Sequence, residues 1–226
     1  MGDLTVIFIT ASEIWEPFAE YQRGVLREAA KGYPLISVSR KPLDFGTNII
    51  DDGERGVSNI YRQMLRAAKM VKTPFVATAE DDCLYHKSHF SFFRPQPDEF
   101  GYDQNRFALF TWGDPIYSWR NRKSNCSLIA PRKLLIEALE ERFAKWPHGT
   151  PPELTGELGR GMVDRNLRIT VRKSVEAYGE VSVVQFNHDA SSEDRQRNHR
   201  KKLGQIKAYD IYHWGKASDL VKKYTE

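Results

Sequence analysis

The chain has 226 residues, of which 40% are hydrophobic and 12% aromatic, enough to bury one sizeable core. No apolar run approaches the ~20 residues that span a bilayer, and the opening run Leu4 to Ile9 is short for a signal-peptide core and has no basic stretch before it, so the expectation is a soluble, cytoplasmic protein. Two cysteines, Cys83 and Cys126, give neither zinc spacing nor a disulfide framework and read as free thiols, and the formal charge of +4 favours a polyanionic or phosphorylated partner.

Leu4-Thr5-Val6-Ile7-Phe8-Ile9-Thr10 is a nearly continuous apolar, β-branched run, the pattern of a strand covered on both faces. A helical stripe follows at Trp15, Phe18, Gln22, Val25, Leu26 and Ala29, with Ser12 as its expected cap, Pro17 in its early part and Gly32 as its stop. Pro34 to Ser39 supplies a second strand, so the chain opens as a βαβ unit. A polar segment with Asp44, Gly46, Asp51, Asp52 and Gly53 leads to a helix carrying Ile60, Met64, Leu65, Ala68 and Val71 on one face, broken at Thr73-Pro74. Phe75 to Ala79 is then a short buried strand that runs directly into Glu80-Asp81-Asp82.

Further on, Arg106 to Trp112 and Ser127 to Ala130 read as strands, and Pro131 opens a helix bearing Leu134, Leu135, Ala138, Leu139 and Phe143. The stretch Trp146 to Gly161, rich in proline and glycine, reads as a working loop. Leu167 to Arg172 and Val181 to Phe186 are expected to pair as late strands, and a terminal helix is expected near Ile206 to Lys222. The pattern is α/β, a single domain with a mostly parallel sheet flanked by helices. A catalytic domain over residues 1–189 and a basic tail and helix over 190–226 closing on the active site are expected.

The acids at Glu80, Asp81 and Asp82 sit at the carboxyl end of a buried strand, where ligands bind in open α/β sheets. Carboxylates held there suit magnesium or manganese, which take hard oxygen ligands plus substrate phosphates and neutralise a departing diphosphate. A polar turn or a helix-capping site is the plainer reading of the same triplet.

The stretch Gly56 to Ala68, through Thr73-Pro74-Phe75-Val76-Ala77-Thr78-Ala79-Glu80-Asp81-Asp82-Cys83-Leu84-Tyr85, resembles the core of the GT-A glycosyltransferases, in which a helix precedes a strand ending in a DxD-type metal motif. Here the motif reads Glu-Asp-Asp. The resemblance implies a GT-A-like, Rossmann-like fold, transfer of a sugar from a nucleotide-sugar donor such as a UDP-sugar to a hydroxyl acceptor, and Mn2+ or Mg2+ bound by Asp82 with Glu80 and Asp81 beside it. It implies donor contacts at Thr10, Ala11 and Ser12 after the first strand and at Arg40 after the second, where an ordinary cap and a solvated cation are the alternatives. Ser58 and Arg62, at the start of the helix before the metal strand, would meet phosphate or ribose, or serve only as a cap and an exposed arginine. His188, ending the strand Val181 to Phe186, has the position of the family's late metal ligand.

An inverting reaction needs a base for the acceptor hydroxyl. Glu157 is the first candidate, with Glu153 and Asp164 behind it; each also reads as a solvated loop acid. Two basic segments remain: Arg195, Arg197, His199, Arg200, Lys201 and Lys202, which suit a diphosphate, a nucleic-acid backbone or a solvated tail, and Arg120, Arg122 and Lys123 beside Tyr117 and Trp119, which suit an unstacked base or a sugar. They direct attention to a hydroxymethylated pyrimidine in DNA as acceptor, as in bacteriophage DNA glucosyltransferase-like enzymes, with a cell-surface glycan or protein as the alternative. A sugar-phosphate nucleotidyltransferase is disfavoured by the lack of a glycine-rich, lysine-containing loop after the first strand, and a non-catalytic nucleic-acid-binding module by acids at the cleft, which repel phosphate unless a cation intervenes.

Overall fold

The computed structural model describes residues 2–188 and 204–225. Its first strand, β1 (Leu4–Ile9), is buried along its whole length. A strand of this kind is stable only between two covering layers, each large apolar side chain contributing roughly 1.5–3 kcal/mol by leaving water. The chain continues through α1 (Glu16–Ala29), β2 (Leu35–Ser39), β3 (Thr47–Ile50), α2 (Val57–Met70), β4 (Phe75–Glu80), β5 (Cys83–Leu84), α3 (Lys87–Ser91), β6 (Glu99–Asp103), β7 (Arg106–Phe110), β8 (Tyr117–Trp119), β9 (Leu128–Pro131), α4 (Arg132–Lys145), α5 (Gly161–Leu167), β10 (Lys173–Ala177) and β11 (Val183–Asn187). It ends in β12 (Lys207–Ala208), β13 (Asp210–Ile211), β14 (Gly215–Lys216) and α6 (Ala217–Thr225).

Seven strands form the main sheet in the order β10-β6-β9-β4-β1-β2-β3. β3, β2, β1 and β4 run parallel, β9 is antiparallel to both β4 and β6, and β10 is parallel to β6. One face carries α2 and α4 over Ile7, Ile9, Val38, Val76, Phe100 and Tyr102. The other buries Leu4, Val6, Phe8, Ala77 and Ala79 with Leu26 of α1 and Phe90 of α3. A second sheet, β12-β8-β7-β11-β5, grows from the end of β4, and Phe18 of α1 and Leu220 of α6 close its core with Phe186 and Tyr117. The result is the α/β architecture expected, a large mostly parallel sheet flanked by helices.

Several expectations are corrected. Ser12 does not cap α1: the N-cap is Trp15, and Ser12 stands in the left-handed region at φ 56°. Leu167 to Arg172 is not a strand, because α5 runs through Leu167. The strand that follows, β10, pairs with β6, and β11 pairs with β7 and β5, so the two late segments never meet. The terminal helix begins only at Ala217, after a β13-β14 hairpin. Pro131 closes β9 and precedes the first helical residue. Among the described residues no helix is long and apolar enough to cross a membrane. The basic run Arg195 to Lys202 lies outside the described residues.

Candidate active site

Parallel pairing of β1 with β2 and β4 brings three strand ends together: Ile9 lies opposite Val38 on one side and Glu80 on the other. The loops leaving those ends enclose a recess lined by Thr10, Ser12, Arg23, Lys41, Leu43 and Asp81. Asp81 is fixed within it by the Thr10 hydroxyl, which donates to Oδ2 and itself accepts from the Ser12 amide at 2.8 Å. Ser12 adopts its left-handed backbone at this edge, a conformation uncommon for a residue with a Cβ and often tied to a working site. Lys41 and Arg23 line the same recess together with Glu16, whose carboxylate pairs with Arg23.

Asp82 turns inward and is almost completely buried. One carboxylate oxygen accepts from the Cys83 thiol at 3.0 Å and the other from the Gln185 amide at 3.3 Å. Gln185 in turn accepts at 2.6 Å from the buried guanidinium of Arg106, which also donates to the Arg122 carbonyl at 3.1 Å. The acids thus have a fixed cation behind them, relayed through Gln185. Sequence reasoning missed both relay residues; an arginine opening the otherwise apolar run Arg106-Phe107-Ala108-Leu109-Phe110 was the available signal, since a buried charge demands a partner.

The electrostatics of the turn are those of crowded negative charge. Burial, and then the neighbouring Asp82 carboxylate, push the Asp81 pKa up to about 7 against the opposing Thr10 hydrogen bond. Glu80 is raised as well, by burial first and then by Cys126, Asp82 and Asp81, with Arg106 pulling the other way. The turn is a run of three hard-oxygen donors with one nearby guanidinium, short of positive charge, although among the described residues their oxygens do not converge with one another or with His188 on a single point. Mn2+ or Mg2+ fits such a set, because a divalent ion relieves both the repulsion and the desolvation.

His188 comes to the same place through β11. The Phe186 amide donates to the Asp82 carbonyl at 2.7 Å, so His188, two residues later, leaves the sheet beside the acidic turn, where its ring lies 5.7 Å from that of Tyr224 on α6. The structure therefore gathers Thr10, Ser12, Glu80, Asp81, Asp82 and the strand end bearing His188; Ala11 lies between the two recess residues.

Other expected donor contacts have different partners. Arg40 donates to the Gly53 carbonyl at 2.7 Å and ties the end of β2 to the loop after β3. Ser58 accepts from the Thr150 amide at 3.1 Å, while Arg62 donates to the Pro147 carbonyl and stacks over Phe143 at 4.4 Å. Ser58 and Arg62 hold the loop between α4 and α5.

That loop is held in place by side chains from α2, β6 and α4. The Tyr61 and Tyr102 hydroxyls donate to the carbonyls of Gly156 and Leu158, both at 2.8 Å, and the buried Arg142 guanidinium donates to Gly156 at 3.2 Å. Gly159 has φ 71°, and a Cβ there would lie 2.8 Å from the Lys173 carbonyl, so the close approach of the loop to β10 requires glycine. Glu157 is presented between these anchors and pairs with Arg160 at 2.7 Å. Glu153 is exposed on a short 3-10 turn, Pro152–Leu154. Asp164 is corrected to a structural residue: it is buried, and its carboxylate accepts the Arg172 amide at 3.2 Å.

The aromatic and basic patch is also corrected. Tyr117 is wholly buried in the second core, the Trp119 indole donates to the Gln104 carbonyl at 2.9 Å, and Lys123 bonds Ser174 at 2.8 Å. Arg120 is drawn inward enough that burial, with Arg122 and Arg106 nearby, lowers its pKa to about 10. The Tyr117 ring expected to stack on a base is thus used inside the protein, while Trp119 stays partly exposed.

No family model matches the sequence, and no curated protein matches it. Solved structures similar to this one include the inositol-1-phosphate CTP transferase from T. maritima, 11% identical with a TM-score of 0.48, the match covering 89% of this chain and 96% of that one. A glycosyltransferase involved in glycosylation of the major capsid of PBCV-1 is 12% identical, with a TM-score of 0.46 and coverage of 88% and 98%. The bifunctional IspDF from Campylobacter jejuni is 11% identical with a TM-score of 0.46; the match covers 89% of this chain and 54% of that one, so the chain spans about half its length. These neighbours are nucleotidyl- and glycosyltransferases, but at such scores the likeness carries no argument, and the fold rests on the sheet order just described.

Proposed function

We propose that the protein is a metal-dependent glycosyltransferase that moves a sugar from a nucleotide-sugar donor, a UDP-sugar first among them, to a hydroxyl acceptor. The observation that carries this reading is Asp81: a strand-end carboxylate held by Thr10 inside a recess that Lys41 also lines. Thr10, Ala11 and Ser12 bind the nucleoside edge of the donor, and Lys41 attracts its phosphates. Asp82, Asp81 and His188 would hold Mn2+ or Mg2+, which when bound supplies charge neutralisation for the departing diphosphate. Glu80 backs that group from the end of β4. The Arg106-Gln185-Asp82 relay keeps the Asp82 carboxylate oriented between two hydrogen-bond donors.

Glu157 is the proposed base, taking the proton from the acceptor hydroxyl as that oxygen attacks the anomeric carbon, with Glu153 as the lesser candidate on the same loop. Arg160, paired with Glu157, sets the direction of its carboxylate. The acceptor is proposed to bind between this loop and the acidic turn. A hydroxymethylated pyrimidine in DNA remains the proposed acceptor, now supported only by the basic balance of the chain; a cell-surface glycan or protein is the alternative.

The test is a panel of nucleotide sugars with manganese, scored for donor hydrolysis and for transfer to hydroxymethylated DNA, saccharides and peptides. Release of nucleoside diphosphate that stops in excess chelator is the expected result. Pyrophosphate release from a nucleoside triphosphate and a sugar phosphate would instead make the protein a nucleotidyltransferase.

A further inference from the structure

Directly under the acidic turn lies a group of three side chains, two of which, Cys83 and Cys126, the sugar-transfer reading does not use. The carboxylate of Glu80 and the sulfurs of Cys83 and Cys126 all lie within 4.8 Å of one another, and both cysteines are wholly buried. They come from three places in the fold: the last residue of β4, the first of β5 and a 3-10 turn, Asn125–Ser127, that leads into β9. Spacing in sequence gives no hint of it, since 43 positions separate the thiols.

We infer that Glu80, Cys83 and Cys126 form a second, buried metal site for a thiophilic divalent cation, Zn2+ above all, distinct from the hard-oxygen site in the cleft.

Two thiolates and a carboxylate are a zinc donor set, whereas Mn2+ and Mg2+ favour oxygen, so the two sites select different ions by donor chemistry. The surroundings are short of partners in a way a metal would cure. Gln22 is fully buried and donates to the carbonyls of both Glu80 (3.2 Å) and Cys83 (2.8 Å), yet its own amide oxygen has no hydrogen-bond partner among the described residues. The side-chain oxygen of Asn125, next to Cys126, is likewise buried and without one. The thiols already interact: the contact with Cys83 pulls the Cys126 pKa down, while burial holds that of Cys83 up. Occupancy converts both thiols to thiolates and releases two protons to solvent, leaving the ion's charge offset by Glu80 and the two sulfurs. The ion would clamp the β4-β5 turn to the base of β9, a metal–sulfur bond replacing the hydrogen bond that the Cys83 thiol gives Asp82.

The test titrates metal-free, fully reduced full-length protein with Co2+, whose thiolate charge-transfer band reports sulfur ligation, followed by displacement with Zn2+. The expected result is one equivalent per chain, about two protons released per Zn2+ near neutral pH, and a loss in affinity of ~100-fold or more in Cys126→Ser, beyond the 10- to 100-fold typical of outer-shell changes. Glu80→Gln, which keeps both sulfurs, should retain the band with weaker binding. Absence of the band, or equal affinity in wild type and Cys126→Ser, overturns the site. Manganese-dependent nucleotide binding is measured separately in the same preparations. It reads the cleft acids without thiolate absorption, so failure of the zinc site and failure of the sugar-transfer reading are told apart.

Discussion

The two regions given roles in the proposed reaction, the recess at the strand ends and the loop between α4 and α5, are built by different means. On the proposed donor side, Thr10 and Asp81 stand at the ends of strands whose pairing fixes the backbone to within the register of the sheet, Ile9 opposite Glu80. On the proposed acceptor side, Glu157 sits on a loop that owes its position to side chains reaching its carbonyls from elsewhere: Tyr61 from α2, Tyr102 from β6 and Arg142 from α4. A strand-end site is insensitive to single side chains outside it, while a side-chain-tethered loop can be displaced by one deletion. Donor binding and acceptor chemistry should therefore separate under mutation.

The largest effect is expected for Asp81→Asn. It removes the cleft-facing carboxylate while keeping its shape, and a metal acting as a Lewis acid is worth several kcal/mol of transition-state stabilisation. At about 1.4 kcal/mol per factor of ten, kcat/KM should fall ~1,000-fold or more. Thermal stability should hold or rise, since the substitution relieves a buried repulsion with Asp82. A stable protein with undiminished turnover would remove Asp81 from the chemistry.

Arg142→Met ranks next. It deletes the buried guanidinium that donates to Gly156 and lies 4.6 Å from the Tyr61 ring, a change expected to cost roughly 1–3 kcal/mol of stability because the carbonyl loses a charged donor. In the folded fraction kcat should drop while nucleotide affinity stays at the wild-type value. Loss of both in equal measure would show that the two regions are not independent.

Tyr61→Phe removes one hydroxyl from the same anchor and should cost about 0.5–1.5 kcal/mol, read as a lowered Tm and a raised KM for the acceptor alone.

The same contrast governs what could be read from the amino-acid order. The strand-end recess was legible because β1, β2 and β4 are apolar runs with one structural solution, and acids at the end of such a run have few places to go. β3 was hidden in a polar segment, since Thr47–Ile50 is an edge strand with two exposed positions. The second sheet was mostly illegible: β5 and β12 have two residues each, and pairing with β11 and β8 rather than local preference makes them strands. Tyr117 and Trp119 next to three basic residues looked like a surface because composition says nothing of direction; the β7-β8 pairing turns Tyr117 inward. His188 was singled out by its place after an apolar strand, but that this strand runs back along Cys83 and Asp82 is a fact of tertiary pairing. Glu157 was found as a loop acid, and its anchors, Tyr61 and Arg142, read only as members of helices.

The central claim is that the acidic turn binds a nucleotide through a divalent cation. Calorimetric titration of wild type and Asp81→Asn with a nucleoside diphosphate, in manganese and then in excess chelator, tests it most directly. The account predicts binding that needs manganese in the wild type, weakens by tenfold or more in chelator (about 1.4 kcal/mol or above) and is lost to the same extent in Asp81→Asn with manganese present. Equal affinity in all of these conditions would contradict it.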